Sequence, residues 1–508
     1  IGAERKMKKI YITTPIYYVN DKPHIGHAYT TILADVINRY YKLIGYKTFF
    51  LTGTDEHGLK VQQAALKNNQ TPHMHVDTYV KKFKNIWKKL NIEYDYFIRT
   101  TDKKHIQQVQ HVLQFLYDQG EIYLDEYEGL YSISEERFVT EKEAEEGNFR
   151  EIKKIKEKNY FFKMSKYQKK LVNYIQNNSE FIKPESRRNE ILGFLKKPLN
   201  DLCISRPKSR LEWGIEIPFD SNYVTYVWFD ALLNYITAIG WNQDNKKFNS
   251  CWPADYHLMG KDIITTHAVY WPTMLLACNI KLPKTLLAHG WWLTDENKMS
   301  KSIGNIIKPL DLADEFGVDS LRYYLMRNMV LGQDASFSKK LFIKRYNADL
   351  ANDYGNVINR ITILINKNFN GLCPEPGQYQ NKELSVIKLV KSIVEEVDKN
   401  MQNLKIHDAL ETIFTLIREI NKYLEIRQPW QLVKDNKNPK SPAATCLYVS
   451  AEVLRISSLL LTPFIPEKAE ITLNSLSQNN MGNDLTFGLL IPNTPVKHPG
   501  SLFPRIDE

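Results

Sequence analysis

The sequence predicts an α/β protein: a doubly wound parallel sheet with a connective domain inserted into it, followed by an α-helical bundle. Three observations carry this. The chain opens on a strand–helix–strand pattern. A charged, short-stranded segment then interrupts an apolar text that resumes later. From about Asp319 onward the periodicity is helical.

Residues 9–14 form a β-branched and aromatic run that stops at Pro15, which reads as a strand and its end. After the loop 17–23, apolar residues recur at Ile25, Ala28, Ile32, Val36 and Tyr40, the spacing of one helix face, and Gly45 ends it. Residues 48–52 are a second apolar strand before Gly53. Strand, helix and strand in this order predict a right-handed parallel unit.

The character changes after about Gln119. Residues 123–162 are charged, with lysines dense over 153–158, and read as an insertion. Apolar pattern returns at 223–239, 256–259 and 285–288. Helical text follows at 321–330, 340–369, 384–403, 408–426 and 443–461, with a Pro/Gly loop at 371–377. The tail from Asn479, rich in Asn, Pro and Gly, predicts extended coil lying on other domains. The expected segments are 1–118, 119–221, 222–293, 294–346, 347–478 and 479–508.

At 508 residues the chain is too long for one core. Its formal charge of +10 and pI near 9.0 suit a polyanionic partner, although solvated lysines give the same balance. Five cysteines, with no Cys-x-x-Cys pair, argue against a disulfide framework and against a thiolate zinc knuckle, and fit a reducing compartment. No secretory signal opens the chain, and Met7 stands as a candidate start after a short extension. No stretch is expected to be apolar enough or long enough to span a membrane.

Two constellations carry chemistry. His24-Ile25-Gly26-His27 stands where a strand-end loop meets a helix start. Unpaired amides and the helix dipole attract phosphate there, Gly26 lets a flat group press on the backbone, and two imidazoles can donate to phosphoryl oxygens. Lys298-Met299-Ser300-Lys301-Ser302 offers two cations in a small-residue loop, suited to a leaving pyrophosphate. It lacks the glycines of a Walker-type loop. Read singly, either segment is as well explained by capping histidines or a solvated basic turn.

Together, in this order on this framework, they resemble the paired signatures of class I aminoacyl-tRNA synthetases. Further motifs narrow the resemblance to the methionyl-tRNA synthetase family. These are Tyr11-Ile12-Thr13-Thr14-Pro15-Ile16-Tyr17-Tyr18-Val19-Asn20, Thr52-Gly53-Thr54-Asp55-Glu56-His57-Gly58, Tyr226-Val227-Trp228-Phe229-Asp230-Ala231, Gly260-Lys261-Asp262-Ile263 and Gly332-Gln333-Asp334 leading into 347–352. The likeness runs from about Lys9 to Asp507.

That resemblance implies a Rossmann-like catalytic domain in two halves (1–118 and 222–293) around the connective insertion, then a loop and stem-contact region (294–346) and a helical anticodon-binding domain (347–478). It implies catalytic roles for His24, His27, Lys298 and Lys301. ATP would meet these four together with Gly26, Met299, Ser300 and Ser302. Methionine would meet Ile16, Tyr18, Asp55, Trp228, Ala231, Leu232, Tyr235, Ile263 and His267. Leu232 replaces a proline found in some members. The residue types suit methionine, because a carboxylate can hold an ammonium and aromatic walls favour a thioether. Asn352, Asn356 and Arg360, spaced i, i+4, i+8, would meet the anticodon with Trp430.

The implied reaction is ATP-dependent activation of methionine, with Mg²⁺ on the phosphates, then transfer to tRNA(Met), initiator tRNA included. The family's zinc knuckles are built from cysteine pairs. Here Ser132 and Glu135 stand at those places, so no structural zinc is expected. The chain closes soon after the helical domain, so the family's optional C-terminal tRNA-binding module is expected to be absent and the protein a monomer; a cytoplasmic location is a separate expectation. Two rivals are a nucleotidyltransferase that adenylates a small acid without tRNA, and a non-catalytic RNA-binding protein derived from a synthetase. The helical half argues against the first, and His24, His27, Lys298 and Lys301 argue against the second.

Overall fold

The computed structural model describes residues 9–20, 23–133, 137–146, 149, 151–294, 297–298, 308–477 and 482–507. Two compact units emerge. One holds the chain up to Pro23, Lys47–Lys88 and Ile92–His289. The other holds His24–Tyr46, Lys89–Asn91 and the chain from Gly290 onward.

The first unit is organised by an all-parallel seven-stranded sheet. In chain order its strands are β1 (Lys9–Thr13), β2 (Tyr17–Tyr18), β3 (Lys47–Asp55), β4 (Tyr96–Arg99), β5 (Ile182–Lys183), β6 (Tyr256–Gly260) and β7 (Thr285–His289). The spatial order is β2-β3-β1-β6-β7-β5, with β4 also on β3. The chain moves outward from β1 through β3 and later resumes on the other side of β1 at β6. That reversal opens a crevice at the carboxyl ends of β1 and β6, where doubly wound sheets bind ligands. The order follows from composition: Tyr11, Ile12, Phe50, Leu51, Leu258 and Leu286 are fully buried, as strands covered on both faces require. Gly53 is obligatory in β3, because a Cβ there would lie 2.1 Å from the Ile98 carbonyl oxygen of β4.

The sheet takes its edge strand β5 from within residues 119–221. Two residues are too few to produce a periodicity, so the sequence shows no strand there. The rest of that stretch includes a four-stranded antiparallel sheet, in which Ile122–Ser132 pairs with Ile152–Phe162 along its full length. Its lysines alternate outward against acidic residues: Lys154 meets Glu128 at 3.1 Å and Lys156 meets Glu126 at 3.7 Å. Toward its Ser132 end the Arg206 Nε donates to the Tyr131 hydroxyl (3.1 Å), and the Arg210 guanidinium lies 4.3 Å from the Tyr131 ring centroid.

In the second unit, helix α1 (Ile25–Leu43) belongs with the helical half. Its Asp35 accepts from Arg322 at 2.6 Å, and Arg322 also donates to the carbonyls of Pro463 and Phe464. The segment predicted as one helix over 340–369 is Lys339–Arg345, a π-helical stretch Tyr346–Gly355, and Asn356–Asn368. Helix Pro442–Leu461 corrects the expectation about membrane spans: it is long and apolar enough, with mean hydropathy 1.4. It is buried from Ala443 to Leu461, and it carries the ion pair Arg455–Glu452 (2.8 Å) in the core. That pair also anchors the tail, as Arg455 donates to the carbonyls of Asp484 and Thr486, and Glu452 accepts from the amides of Gly488 and Leu489.

Candidate active site

In the first unit, the residues assigned to the amino-acid pocket gather at the carboxyl ends of the strands. Ile16 and Tyr18 follow β1, and Tyr18 is the register partner of Asp55, the last residue of β3. Two short helices, α2 (Val227–Leu232) and α3 (Asn234–Thr237), bring Trp228, Ala231, Leu232 and Tyr235. Beyond β6 stand Ile263 and His267, the latter in a π-helical turn, Thr266–Tyr270. Trp228 is half-buried and packs against the core, whereas Phe229 beside it is fully buried. Its ring meets Tyr18 edge-on (centroids 6.5 Å apart) and His267 edge-on (6.1 Å). Ala231, Leu232, Tyr235 and Asp55 are buried.

The polar end of the pocket has a fixed proton arrangement. His267 Nδ1 lies 3.0 Å from the Ile263 carbonyl oxygen, which can only accept, so Nδ1 carries the proton. The Tyr235 hydroxyl therefore donates to His267 Nε2 across 2.7 Å. Burial pushes the His267 pKa down to about 4, which keeps the ring neutral. Behind Tyr235 lies a second histidine. His257 packs on the Tyr235 ring (4.2 Å), accepts from the Trp271 indole at Nε2 (3.3 Å), and meets Thr13 Oγ1 at 2.6 Å through Nδ1. Burial, then His267, holds it well below the usual imidazole range.

The motif around Asp55 divides. Glu56 turns into a cage of Arg99, Thr54 and Thr101. His57 turns to Asp230, which His105 also meets. Glu56, His57 and Asp230 lie inside motifs visible in the sequence, which gives them no role of their own. His105 and His257 give no signal there, since only tertiary structure brings them to the pocket.

In the second unit, His24 caps α1. Its Nδ1 accepts from the Gly26 amide (3.0 Å), and His27 Nδ1 accepts from the His24 amide (3.2 Å), a reciprocal capping box. Both imidazoles thus carry their proton on Nε2, the donor that a phosphoryl oxygen needs. The rings stack with centroids 3.9 Å apart. A Cβ at Gly26 would come within 2.8 Å of the His24 ring and press on the cap. Lys298 lies in the short strand Asn297–Lys298. Met299, Ser300, Lys301 and Ser302 lie outside the described residues, as does Glu135.

On the helical half, Asn352 and Asn356 are exposed and Arg360 and Trp430 are half-buried. The Arg360 guanidinium lies 5.0 Å from the Trp430 ring centroid and pairs with Glu425 at 2.7 Å. Asn356 reaches Asn421 at 3.4 Å. Asn352 precedes the point where π-helical winding gives way to α-helix, so the face is not one regular i, i+4, i+8 stripe.

The described residues of the insertion do not suit a zinc knuckle. Ser132 is buried where a thiolate would stand, and Cys203 has the Arg206 guanidinium 3.4 Å from its sulfur. Burial pushes the Cys203 thiol up, against the deprotonation a zinc ligand needs.

A doubly wound sheet with this pocket, a doubly capped His-x-Gly-His helix start and a helical second half define a class I tRNA synthetase. The family model described as "tRNA synthetases class I (M)" matches residues 10–148 and 146–362, and the "Anticodon binding domain of methionyl tRNA ligase" matches 373–508. A methionine–tRNA ligase of Clostridium tetani is 47% identical over 98% of this chain and 79% of its own length. That of Bacillus subtilis is 42% identical over 98% and 78%. A Mycobacterium tuberculosis methionyl-tRNA synthetase solved with methionyl-adenylate superposes with a TM-score of 0.94 at 39% identity, over 98% of this chain and all of that one. The chain belongs to the methionine–tRNA ligases, an aminoacyl-tRNA ligase family.

Proposed function

We propose that this protein activates methionine with ATP and transfers it to the terminal ribose of tRNA(Met), initiator tRNA included. The reading is supported by the residues that stand beyond the strand ends: the buried carboxylate Asp55, the neutral Tyr235–His267 pair and Trp228 edge-on to His267. Asp55 holds the α-ammonium by a charge-assisted bond, and the aromatic wall takes the thioether. The methionine carboxylate attacks the α-phosphate and pyrophosphate leaves. His24 and His27, through Nε2–H, and Lys298 and Lys301 stabilise the developing charge, with ATP arriving as its Mg²⁺ complex. Gly26, Met299, Ser300 and Ser302 complete the ATP site. The ribose hydroxyl of tRNA then attacks the adenylate carbonyl, releasing AMP. No general base is assigned.

The anticodon is read by Asn352, Asn356, Arg360 and Trp430. The exposed asparagines and the stacked Arg360–Trp430 pair support this. The segments keep the roles set out from the sequence: catalytic halves at 1–118 and 222–293, connective insertion at 119–221, loop and stem contact at 294–346, anticodon domain at 347–478, tail at 479–508. The protein works as a cytoplasmic monomer without structural zinc. Aminoacylation of tRNA bearing CAU against the same tRNA with an altered anticodon tests the reading. Charging should fall at least a hundredfold on alteration. Equal charging of both removes the anticodon assignment, and no charging of either removes the ligase reading.

A further inference from the structure

Two histidines meet on one buried carboxylate in the first unit. Asp230 Oδ2 accepts from His57 Nδ1 at 2.7 Å, and Oδ1 accepts from His105 Nε2 at 2.6 Å. All three side chains are at least 95% buried. A buried charge is retained only when its partners satisfy it, and here both carboxylate oxygens are satisfied. Burial pushes the Asp230 pKa up, but the two histidines more than offset it and hold it below the usual carboxylate range.

The three elements tied together are those that build the amino-acid pocket. His57 follows Asp55 by two residues. Asp230 stands on α2 between Trp228 and Ala231. His105 continues through Nδ1 to Thr237 Oγ1 (2.7 Å), at the end of the α3 helix that carries Tyr235. The network thus spans the ammonium end and the thioether end without belonging to either. We infer that Asp230 is a positioning residue for methionine: through His57 it fixes the Asp55 loop, and through His105 and Thr237 it fixes the helices bearing Trp228 and Tyr235, so the two ends of the pocket keep one spacing. This rests on reading the pocket as the methionine site.

The test is methionine-dependent ATP–pyrophosphate exchange on the full chain, with KM measured separately for methionine and ATP. Asp230→Asn removes the charge and one acceptor. His105→Ala cuts the far arm and leaves Asp230 bonded to His57. His105→Gln restores a donor near the lost Nε2. Expected are at least tenfold increases in methionine KM for Asp230→Asn and His105→Ala, ATP KM within twofold, and recovery of most of the loss in His105→Gln. A merely structural role lowers the active fraction, hence apparent kcat, with both KM values unchanged, and that result overturns the inference. Should Asp230→Asn fail to fold, the His105 pair carries the test. Asp55→Asn separates the two levels. If it raises methionine KM while the His105 variants do not, only the positioning role fails. If it too leaves methionine KM unchanged, the pocket reading fails and the inference with it.

Discussion

The Tyr235 hydroxyl donates to Nε2 of His267 across 2.7 Å, while His267 spends its own proton on the Ile263 carbonyl. With a pKa near 4, the ring stays neutral through the physiological range. Tyr235→Phe leaves a buried imidazole acceptor without its donor, a cost of about 1–3 kcal/mol. The expected effect is a methionine KM roughly tenfold higher. In the unmodified protein, methionine KM should be flat between pH 8 and 6. A titration of methionine KM centred near pH 6.5 would show that His267 charges in the pocket. Stability carries the same signature. The folded pKa lies below the ordinary 6.5, so the stabilisation is full above 6.5 and is lost as pH falls toward 4, by about 3 kcal/mol.

Asp319 opens helix Val318–Asn328 and accepts from the Lys468 amide at 2.7 Å. Burial raises its pKa to about 6, against the lowering by that bond and Arg322. A carboxyl raised in the folded state costs nothing below about pH 4, and its cost grows as pH rises through 6. Asp319→Asn keeps the acceptor for Lys468 and should stabilise the protein by about 2 kcal/mol at pH 7.5, the difference vanishing near pH 4. Chemical denaturation at both values measures it. Equal destabilisation at both would mean that the charge itself is needed.

The stack of Arg360 on Trp430 predicts that recognition and chemistry separate. Trp430→Ala removes a surface worth roughly 1–3 kcal/mol per stacked base. Aminoacylation should fall at least tenfold while methionine-dependent pyrophosphate exchange stays near that of the unmodified protein. Normal charging would make Trp430 mere packing. Loss of both activities would make the helical half integral to the active site.

Tyr131 accepts from Arg206 and lies against the Arg210 guanidinium in the insertion, contacts that need no metal. Elemental analysis should find less than stoichiometric zinc, and a chelator should leave the melting temperature unchanged. Tyr131→Ala should lower it by several degrees. A chelator-induced loss of folding would contradict this.

The sequence announces most of the scaffold because long runs are easy to read. Helix α1 is visible in five apolar residues at helical spacing, and the arrest at Gly45 matches its positive φ of 90°. Strand β5 is invisible, as two residues cannot alternate. The π-helical windings at 266–270 and 346–355 are invisible too, because they add a residue per turn without changing composition. Of the proposed pocket, Asp55 and Trp228 stand inside motifs that the sequence displays, whereas Tyr235 is assigned only through the family resemblance. His105 is not: in Lys103-Lys104-His105 it reads as a polar helix start, and only folding carries it to Asp230. The membrane-like hydropathy of Pro442–Leu461 escapes the sequence reading, which takes 443–461 only as a helix, since a central core helix and a membrane span satisfy the same hydropathy.

The central claim is that the strand-end pocket selects methionine for adenylation. ATP–pyrophosphate exchange without tRNA, run across methionine, leucine, isoleucine and norleucine, tests it most directly. We predict exchange with methionine, a kcat/KM at least a hundredfold lower for leucine and isoleucine, and loss of the methionine reaction in Asp55→Ala. Exchange driven better by another amino acid, or methionine exchange undiminished in Asp55→Ala, would contradict it.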